Sequence, residues 1–251
     1  MKPNFDLSGR TAIVTGANTG IGQAIAVSLA SAGAAILGVG RSSMAETEAQ
    51  IADVGGRFAS FSADLSTIEP VDAIVDAAVE AFGSVDILVN NAGIIRRADA
   101  IDFTEADWDA VMDVNLKTAF FLSQAVAKRM IPNGGGKIIN IASMLSFQGG
   151  IRIPSYTASK SGLAGLTRLL ACEWAGKGIN VNAIAPGYFV TNNTTALRED
   201  AKRSSDILAR IPAGRWGDPQ ELGGAAVFLA SDAAAYVHGT ILPVDGGWLA
   251  R

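Results

Sequence analysis

The chain has 251 residues, of which 49% are hydrophobic and 18% charged, so it can bury a large core and is not expected to be disordered. Its net charge is −4 and it has no basic block, which argues against binding to nucleic acid through a basic surface. Charged residues interrupt every apolar run well before the ~18 residues of a membrane span, and residues 1–10 lack a signal-peptide core; we therefore expect a cytoplasmic protein without a membrane partner.

The first elements form a predicted strand–turn–helix–strand unit. A buried strand at 10–15 leads into the glycine-rich segment 16–22, and a helical run to residue 32 leads into a second strand at 34–39. Glycines let the backbone approach a pyrophosphate, and the helix N-terminus offers free N–H groups. A glycine-rich turn can also simply close a strand onto a helix, but this position in the chain favours dinucleotide binding.

The residues after the second strand bear on the choice of cofactor. Folds of this kind that prefer NAD usually carry an acidic residue here, which binds the ribose hydroxyls. This chain has Gly40, Arg41 and Ser42 instead. A guanidinium beside a hydroxyl can pair with a 2′-phosphate, so the local chemistry favours NADP(H). The alternative is a solvated arginine at a strand end.

The next pair of strands also ends in polar or small residues. Helices are predicted at 45–54 and 69–82, and strands at 57–61 and 85–89. Asp64 follows the third strand and could accept a hydrogen bond from an adenine amino group, or cap the next helix. The segment Asn90-Asn91-Ala92-Gly93 after the fourth strand would let a ribose and a nicotinamide lie against the backbone; a simple turn is the alternative.

A long helix is predicted at 105–130, with the polar Asn115 among apolar neighbours. If buried, the Asn115 side chain must be hydrogen-bonded. It could kink the helix around a water molecule, or it could face solvent.

The stretch 138–162 carries the groups best suited to chemistry. A strand at 138–141 ends near Ser143, and a helix containing Tyr156 and Lys160 follows. The spacing of four residues places the phenol and the ammonium on one helix face, where the ammonium is expected to lower the pKa of the phenol. Tyr156 could then exchange a proton near neutral pH, and Ser143 could bond the same substrate oxygen. A surface Tyr and Lys on an amphipathic helix is the alternative.

The rest of the chain completes the alternation of helices and strands. The helix continues to about residue 176 and contains Cys172, the single cysteine, which we expect to be an inert core thiol. A strand at 179–184 precedes a polar segment at 188–216, expected to be irregular or loosely helical and to form a substrate lid. A helix at 219–230 and a strand at 242–244 follow. His238 is the single histidine, so neither a Ser-His-Asp triad nor a zinc site is expected, and no metal is predicted.

This alternation predicts an α/β fold, a Rossmann-type, doubly wound, parallel seven-stranded sheet in one domain over 1–251. Seven ordered motifs resemble the short-chain dehydrogenase/reductase family over almost the whole chain. They are TGANTGIG, Asp64-Leu65, NNAG, Asn115, Ser143, Tyr156-x-x-x-Lys160 and Pro186-Gly187.

The resemblance implies roles for individual residues. Ser143 would polarise the substrate oxygen, Tyr156 would exchange the proton, and Lys160 would bond the nicotinamide ribose and lower the pKa of Tyr156. Asn115 would hold a water molecule that relays protons. The expected cofactor contacts are Gly16, Asn18, Thr19, Gly20, Ile21, Gly40, Arg41, Ser42, Asp64, Leu65, Asn91, Ala92, Gly93, Tyr156, Lys160, Pro186, Gly187 and Thr191.

Within the family the chain resembles dehydrogenases of small sugar acids, which are chiefly NAD-linked and therefore oppose the NADP(H) preference suggested by Arg41. Family members are usually homotetramers. The alternatives are a reductase of a 3-oxoacyl thioester, a neutral sugar or a uronate-derived keto aldehyde, and a catalytically silent nucleotide sensor. A sugar acid needs a carboxylate clamp, for which arginines near strand ends are candidates. The candidate substrate residues are Arg97, Ser143, Gln148, Arg152, Tyr156, Asn193 and Arg215.

Overall fold

A parallel sheet organises the structure, a computed structural model that describes residues 4–251. Its strands are β1 (Thr11–Thr15), β2 (Ala35–Gly40), β3 (Arg57–Ser62), β4 (Ile87–Asn90), β5 (Gly136–Ile141), β6 (Ile179–Pro186) and β7 (Ile241–Val244). They lie in the order β3-β2-β1-β4-β5-β6-β7, and every neighbouring pair is parallel. The predicted fold class is confirmed.

Helices cover both faces of the sheet. They are α1 (Gly20–Ser31), α2 (Ala45–Asp53), α3 (Val71–Phe82), α4 (Glu105–Met112), α5 (Thr118–Met130), α6 (Pro154–Trp174), α7 (Thr195–Glu199), α8 (Ala201–Arg210) and α9 (Gly223–Ala230). Alternate residues of β1 belong to two different cores: Ala12 and Val14 pack with α1 and α9, whereas Ile13 packs with α3, α5 and α6. Burial on both faces explains why the central strands are apolar runs.

The strand order places a crevice at the carboxyl ends of β1 and β4. The chain runs outward from β1 to β3 and then returns to pair β4 with the other side of β1. The loops after these two strands therefore leave in opposite directions, which is where ligands bind in open α/β sheets. No helix in the described chain, from residue 4 onward, is long and apolar enough to cross a membrane.

Two predictions about the helical parts of the chain need correction. The helix predicted at 105–130 is interrupted by a π-helical turn, Asp113–Lys117, which separates α4 from α5. The segment 188–216, expected to be irregular or loosely helical, contains the two helices α7 and α8. Cys172 is exposed on α6, so the prediction of a core thiol is wrong. The neighbours Leu170, Ala171 and Trp174 fill the core instead.

Candidate active site

The turn between β1 and α1 leads into a helix N-terminus, where the first N–H groups have no partner within the helix. Gly16 and Gly20 have positive φ values of 67° and 58°, which favour glycine. A Cβ atom on Gly22 would lie 2.1 Å from the carbonyl oxygen of Gly16, so only glycine fits there. Thr19 at the helix N-cap makes no side-chain capping bond, and the first turn of α1 has no acidic residue. The turn therefore suits an anion.

The end of β2 carries an arginine that is free to meet a ligand. Arg41 is 68% exposed, and its Nη1 atom lies 4.0 Å from Oδ1 of Asp64. At this distance and exposure the ion pair holds Arg41 only weakly. Ser42 is exposed beside it, and Gly40 packs against the side chain of Asn18.

Asp64 forms a turn at the end of β3. Its Oδ1 atom accepts a hydrogen bond from the backbone N–H of Ser66 at 3.0 Å, and this bond lowers the pKa of the Asp64 carboxyl. Helix α3 begins later, after Pro70, so the alternative that Asp64 caps that helix is wrong. Leu65 is buried next to the turn.

The loop after β4 is tied to the end of β1. The Oγ1 atom of Thr15 accepts hydrogen bonds from the backbone N–H groups of Asn91 and Ala92 at 3.0 and 2.9 Å. The side chain of Asn91 donates to the carbonyl oxygen of Thr15 at 2.9 Å. Asn91 thus fixes the shape of the loop that borders the crevice, a function that Thr15 shares and that the sequence did not indicate.

Asn115 is buried in the π-helical turn and holds the same loop from the other side. Its Oδ1 atom accepts from the backbone N–H of Ile94 at 2.8 Å, and its Nδ2 atom donates to the carbonyl oxygen of Ile94 at 3.0 Å. Nδ2 also lies 3.3 Å from Oγ of Ser159 on α6. The alternative of a solvent-facing Asn115 is wrong, since its amide links three segments. Gly93 leaves room for this contact.

Ser143, Tyr156 and Lys160 meet at the carboxyl end of β5. The Nζ atom of Lys160 is buried, donates to the carbonyl oxygen of Ile141 at 2.6 Å, and lies 5.7 Å from the ring centre of Tyr156. Burial lowers the pKa of the Lys160 ammonium to about 8.

Burial also raises the pKa of the Tyr156 phenol, and the opposing effects of the Ser143 hydroxyl and the Arg97 charge do not offset it. The predicted decrease in the pKa of Tyr156 is therefore wrong, because the net shift is upward. The ammonium is itself buried and bonded to a backbone carbonyl, so desolvation decides the direction of the shift. A neutral phenol is a proton donor at neutral pH.

A cavity of about 570 Å³ adjoins these groups. It brings together many of the predicted site residues from segments that are distant in the sequence. They are Ile21, Arg97, Ser143, Gln148, Tyr156, Pro186, Gly187, Thr191 and Asn193. Thr191 also lies over the glycine turn, because a Cβ atom on Gly20 would be 3.6 Å from its methyl group.

Two proposed substrate residues do not line this cavity. Arg152 pairs with Asp99, with its Nε atom 3.1 Å from the carboxylate, and has a positive φ of 64°. Arg215 forms a two-bond pair with Glu221 at 2.6 and 2.7 Å, which lowers the pKa of the Glu221 carboxyl to about 2. Both guanidinium groups form ion pairs outside the cavity. The prediction that Arg152 and Arg215 are candidates to bind the substrate carboxylate is therefore wrong.

Several cavity residues were not predicted as site residues, among them two arginines and two aromatic residues. Arg203 and Arg210 reach the cavity from α8, and Tyr188 and Trp248 contribute aromatic rings. The spacing of residues 203, 207 and 210 is helical, so recognising α8 in the sequence would have placed both arginines on the face that carries the buried Ile207. Trp248 had no such signal, because a short turn near the end of the sequence carries it.

Comparisons with known proteins agree with this geometry. A family model described as enoyl-(acyl carrier protein) reductase matches residues 16–249. The chain is 60% identical over 248 residues, 98% of each sequence, to 2-dehydro-3-deoxy-D-gluconate 5-dehydrogenase from Escherichia coli strain K12.

Two solved structures extend the comparison. A protein from Agrobacterium tumefaciens, provisionally named 2-deoxy-D-gluconate 3-dehydrogenase and solved with bound NADP, is 61% identical with a TM-score of 0.94, and all of each chain is covered. Gluconate 5-dehydrogenase from Burkholderia cenocepacia, solved with NADP and tartrate, is 43% identical with a TM-score of 0.93, covering 99% of this chain and 98% of that one.

Proposed function

The chain belongs to the short-chain dehydrogenase/reductase family, and from this membership we propose that it oxidises a hydroxyl group of a small sugar acid, or reduces the corresponding ketone, with a nicotinamide cofactor. The observation that carries the proposal is the cavity, which adjoins the glycine turn and contains both Tyr156 and Ser143. By their names the relatives given above act on 2-dehydro-3-deoxy-D-gluconate, 2-deoxy-D-gluconate or gluconate, and one was solved with tartrate, a small hydroxy acid.

A nicotinamide dinucleotide fits the crevice at β1 and β4. The N–H groups of α1 suit its pyrophosphate, and Gly16, Asn18, Thr19, Gly20 and Ile21 would hold that group. Asp64 and Leu65 would meet the adenine, and the Asn91-Ala92-Gly93 loop the ribose side. Pro186, Gly187 and Thr191 would border the nicotinamide.

We infer a preference for NADP(H). Gly40, Arg41 and Ser42 end β2 where the adenosine ribose would lie, and no acidic residue follows that strand directly. Arg41 is exposed and weakly paired, so its guanidinium is available for a 2′-phosphate. Two structural relatives were solved with NADP, which supports the same cofactor here.

The side chains at the cavity donate and accept the proton of the reaction. When bound, the nicotinamide accepts or donates the hydride. In reduction, the neutral phenol of Tyr156 donates its proton to the substrate oxygen, and Ser143 donates a hydrogen bond to the same oxygen as charge develops there. In oxidation the proton returns along the same path. Lys160 would bond the nicotinamide ribose, and Asn115 would hold a water molecule that relays protons to solvent.

Two further properties belong to this proposal. The segment 188–216, with α7 and α8, would act as the substrate lid, because it supplies one wall of the cavity.

The protein would function in the cytoplasm as a homotetramer. Ile101, Leu169 and Tyr236 are 94%, 48% and 99% exposed, and large apolar side chains at such exposure are suited to subunit contacts.

A substrate panel tests the proposal. We expect NADPH to bind more tightly than NADH by at least ~10-fold, in line with one charged 2′-phosphate contact. With the preferred cofactor, 2-dehydro-3-deoxy-D-gluconate and gluconate should give higher kcat/KM than 2-deoxyglucose or a 3-oxoacyl thioester, measured by the absorbance of the reduced nicotinamide. A thioester preference would instead support a lipid reductase, and cofactor binding without any turnover would support a nucleotide sensor.

A further inference from the structure

Helix α8 adds positive charge to one wall of the cavity. Arg203 and Arg210 line the cavity from this helix, and Arg97 lines it from the loop after β4. Among the described residues that form the lining, Asp206 is the single acidic one. Three cations against one anion give the cavity a net positive charge, which favours an anionic ligand.

Arg210 is held in place by contacts that leave most of its donors free. Its guanidinium carbon lies 4.0 Å from the ring centre of Trp248, within the range of a cation–π contact. Its Nη2 atom donates to Oε1 of Gln148 at 3.2 Å. Within residues 4–251, no carboxylate lies within salt-bridge distance of Arg210, in contrast to Arg152 and Arg215.

A single amide oxygen joins three parts of the chain. Oε1 of Gln148, in the loop after β5, accepts from Arg210 and also from Nε1 of Trp248 at 3.2 Å. The indole is buried and packs 4.8 Å from the ring centre of Tyr188. Burial raises the pKa of the Tyr188 phenol, and the charges of Arg203 and Arg210 partly oppose this, so both arginines face the same aromatic group.

We propose that Arg210, assisted by Arg203, binds the substrate carboxylate on the α8 wall of the cavity, and that Gln148 and Trp248 are positioning residues for Arg210. This inference rests on the proposed sugar-acid function. A guanidinium fork binds a carboxylate through two parallel hydrogen bonds. Arg97 lines the same cavity as Tyr156 and its charge opposes the rise in the pKa of that phenol, so we assign Arg97 to the reacting end. The carboxylate on α8 and the reacting carbon at Tyr156 then fix the direction of the sugar chain.

The first experiment compares the sugar acid with its primary amide, which has the same shape but no charge. In Arg210→Ala we expect kcat/KM for the acid to fall at least ~30-fold, mainly through KM, as expected for charged hydrogen bonds, and kcat/KM for the amide to fall less than ~3-fold. Lys202→Ala is the matched control, because it removes a positive charge from α8 outside the cavity. It should leave both values unchanged.

The possible results distinguish failure of the proposed sugar-acid function from failure of the proposed carboxylate site on α8. If the wild-type protein uses the amide as well as the acid, the proposed sugar-acid function fails. If the wild type prefers the acid and Arg210→Ala keeps that preference, the function stands and the clamp is wrong. A preference lost in Arg97→Ala but kept in Arg210→Ala would place the carboxylate at the other arginine and also overturn the clamp.

Two further variants test geometry rather than folding. Arg210→Lys keeps the charge but loses the fork, so we expect KM for the acid to lie between those of Arg210→Ala and the wild type. Added guanidinium ions should partly restore acid turnover in Arg210→Ala and have no such effect on the wild type.

Gln148→Leu should raise KM for the acid ~3- to 10-fold with kcat little changed, since the arginine remains but is less well oriented. Equal losses on acid and amide in Gln148→Leu would contradict the positioning role.

Discussion

Tyr156 carries the proton transfer in the proposed reaction. Its phenol is partly buried among Ser143 and Arg97, and burial raises its pKa, so it is a neutral donor at physiological pH. We expect Tyr156→Phe to lower kcat at least ~100-fold, because the general acid is lost while the ring is kept. The affinity for NADPH, measured by fluorescence titration, should change little. Near-normal turnover in this variant would remove Tyr156 from the mechanism.

We expect the buried ammonium of Lys160 to lower the stability of the folded protein. Its pKa is lowered from 10.5 to about 8, so the unfolded chain binds this proton more tightly than the folded protein does. Below pH 8 the buried ammonium is charged and lowers the free energy of unfolding. This penalty is fully present below about pH 8 and disappears as the pH rises towards 10.5. It amounts to about 3 kcal/mol for a shift of this size, and a substitution that removes the amine would leave the carbonyl of Ile141 without its partner, at a cost of about 1 kcal/mol.

We therefore expect Lys160→Met to raise the free energy of unfolding by about 2 kcal/mol near neutral pH, while abolishing turnover. Urea titrations between pH 7 and about 10.5 should show the advantage shrinking as wild-type Lys160 loses its proton. If the difference in free energy of unfolding between Lys160→Met and the wild type stays constant across this range, the buried charge is not its cause.

At the scale of elements, the π-helical turn Asp113–Lys117 directs Asn115 inward. One extra residue in the turn separates α4 from α5 and lets the amide bond both backbone groups of Ile94. Such turns often occur at functional sites. Here it stabilises the loop after β4, which borders the proposed nicotinamide site, so we expect both stability and turnover to depend on the same amide.

We expect Asn115→Ala to lower the free energy of unfolding by about 2 kcal/mol, because buried backbone groups lose their partners. Turnover should also fall, since the loop and the proposed proton relay are disturbed. Lys117→Ala is the control in the same turn; its ion pair with Asp113 is exposed, so stability should change by less than ~0.5 kcal/mol. Thermal unfolding of both variants gives the comparison, and a fully stable Asn115→Ala would contradict it.

At the scale of the whole molecule, the proposed tetramer explains the exposed apolar side chains. Leu169 lies on the outer face of α6, which packs its inner face on the sheet through Leu170 and Trp174. We expect Leu169→Asp to reduce the mass measured by light scattering at micromolar concentration, since a buried carboxylate would oppose subunit contact. Val54→Asp, which alters an exposed valine after α2, should keep the wild-type mass. A monomeric wild type would contradict the proposal.

The sheet and much of the site could be predicted from local patterns. Gly16, Gly20 and Gly22 indicate a phosphate turn because they lie between the first strand and the first helix, and Tyr156 and Lys160 share a helix face by spacing alone. The partners of Asn115 come from the loop after β4 and from α6, and those of Arg210 are 62 residues away at Gln148 and near the end of the sequence at Trp248. Such contacts depend on tertiary packing, which no local spacing encodes. The predicted direction of the pKa shift of Tyr156 is wrong for the same reason, because burial is a property of the folded chain.

The exposure of Cys172 has a practical consequence. It is the single thiol in the chain, and it lies on α6 one turn from Leu169. A maleimide dye would therefore label each copy once, at a fixed point beside the proposed contact surface. Energy transfer between donor-labelled and acceptor-labelled copies would then follow association and exchange of subunits in real time.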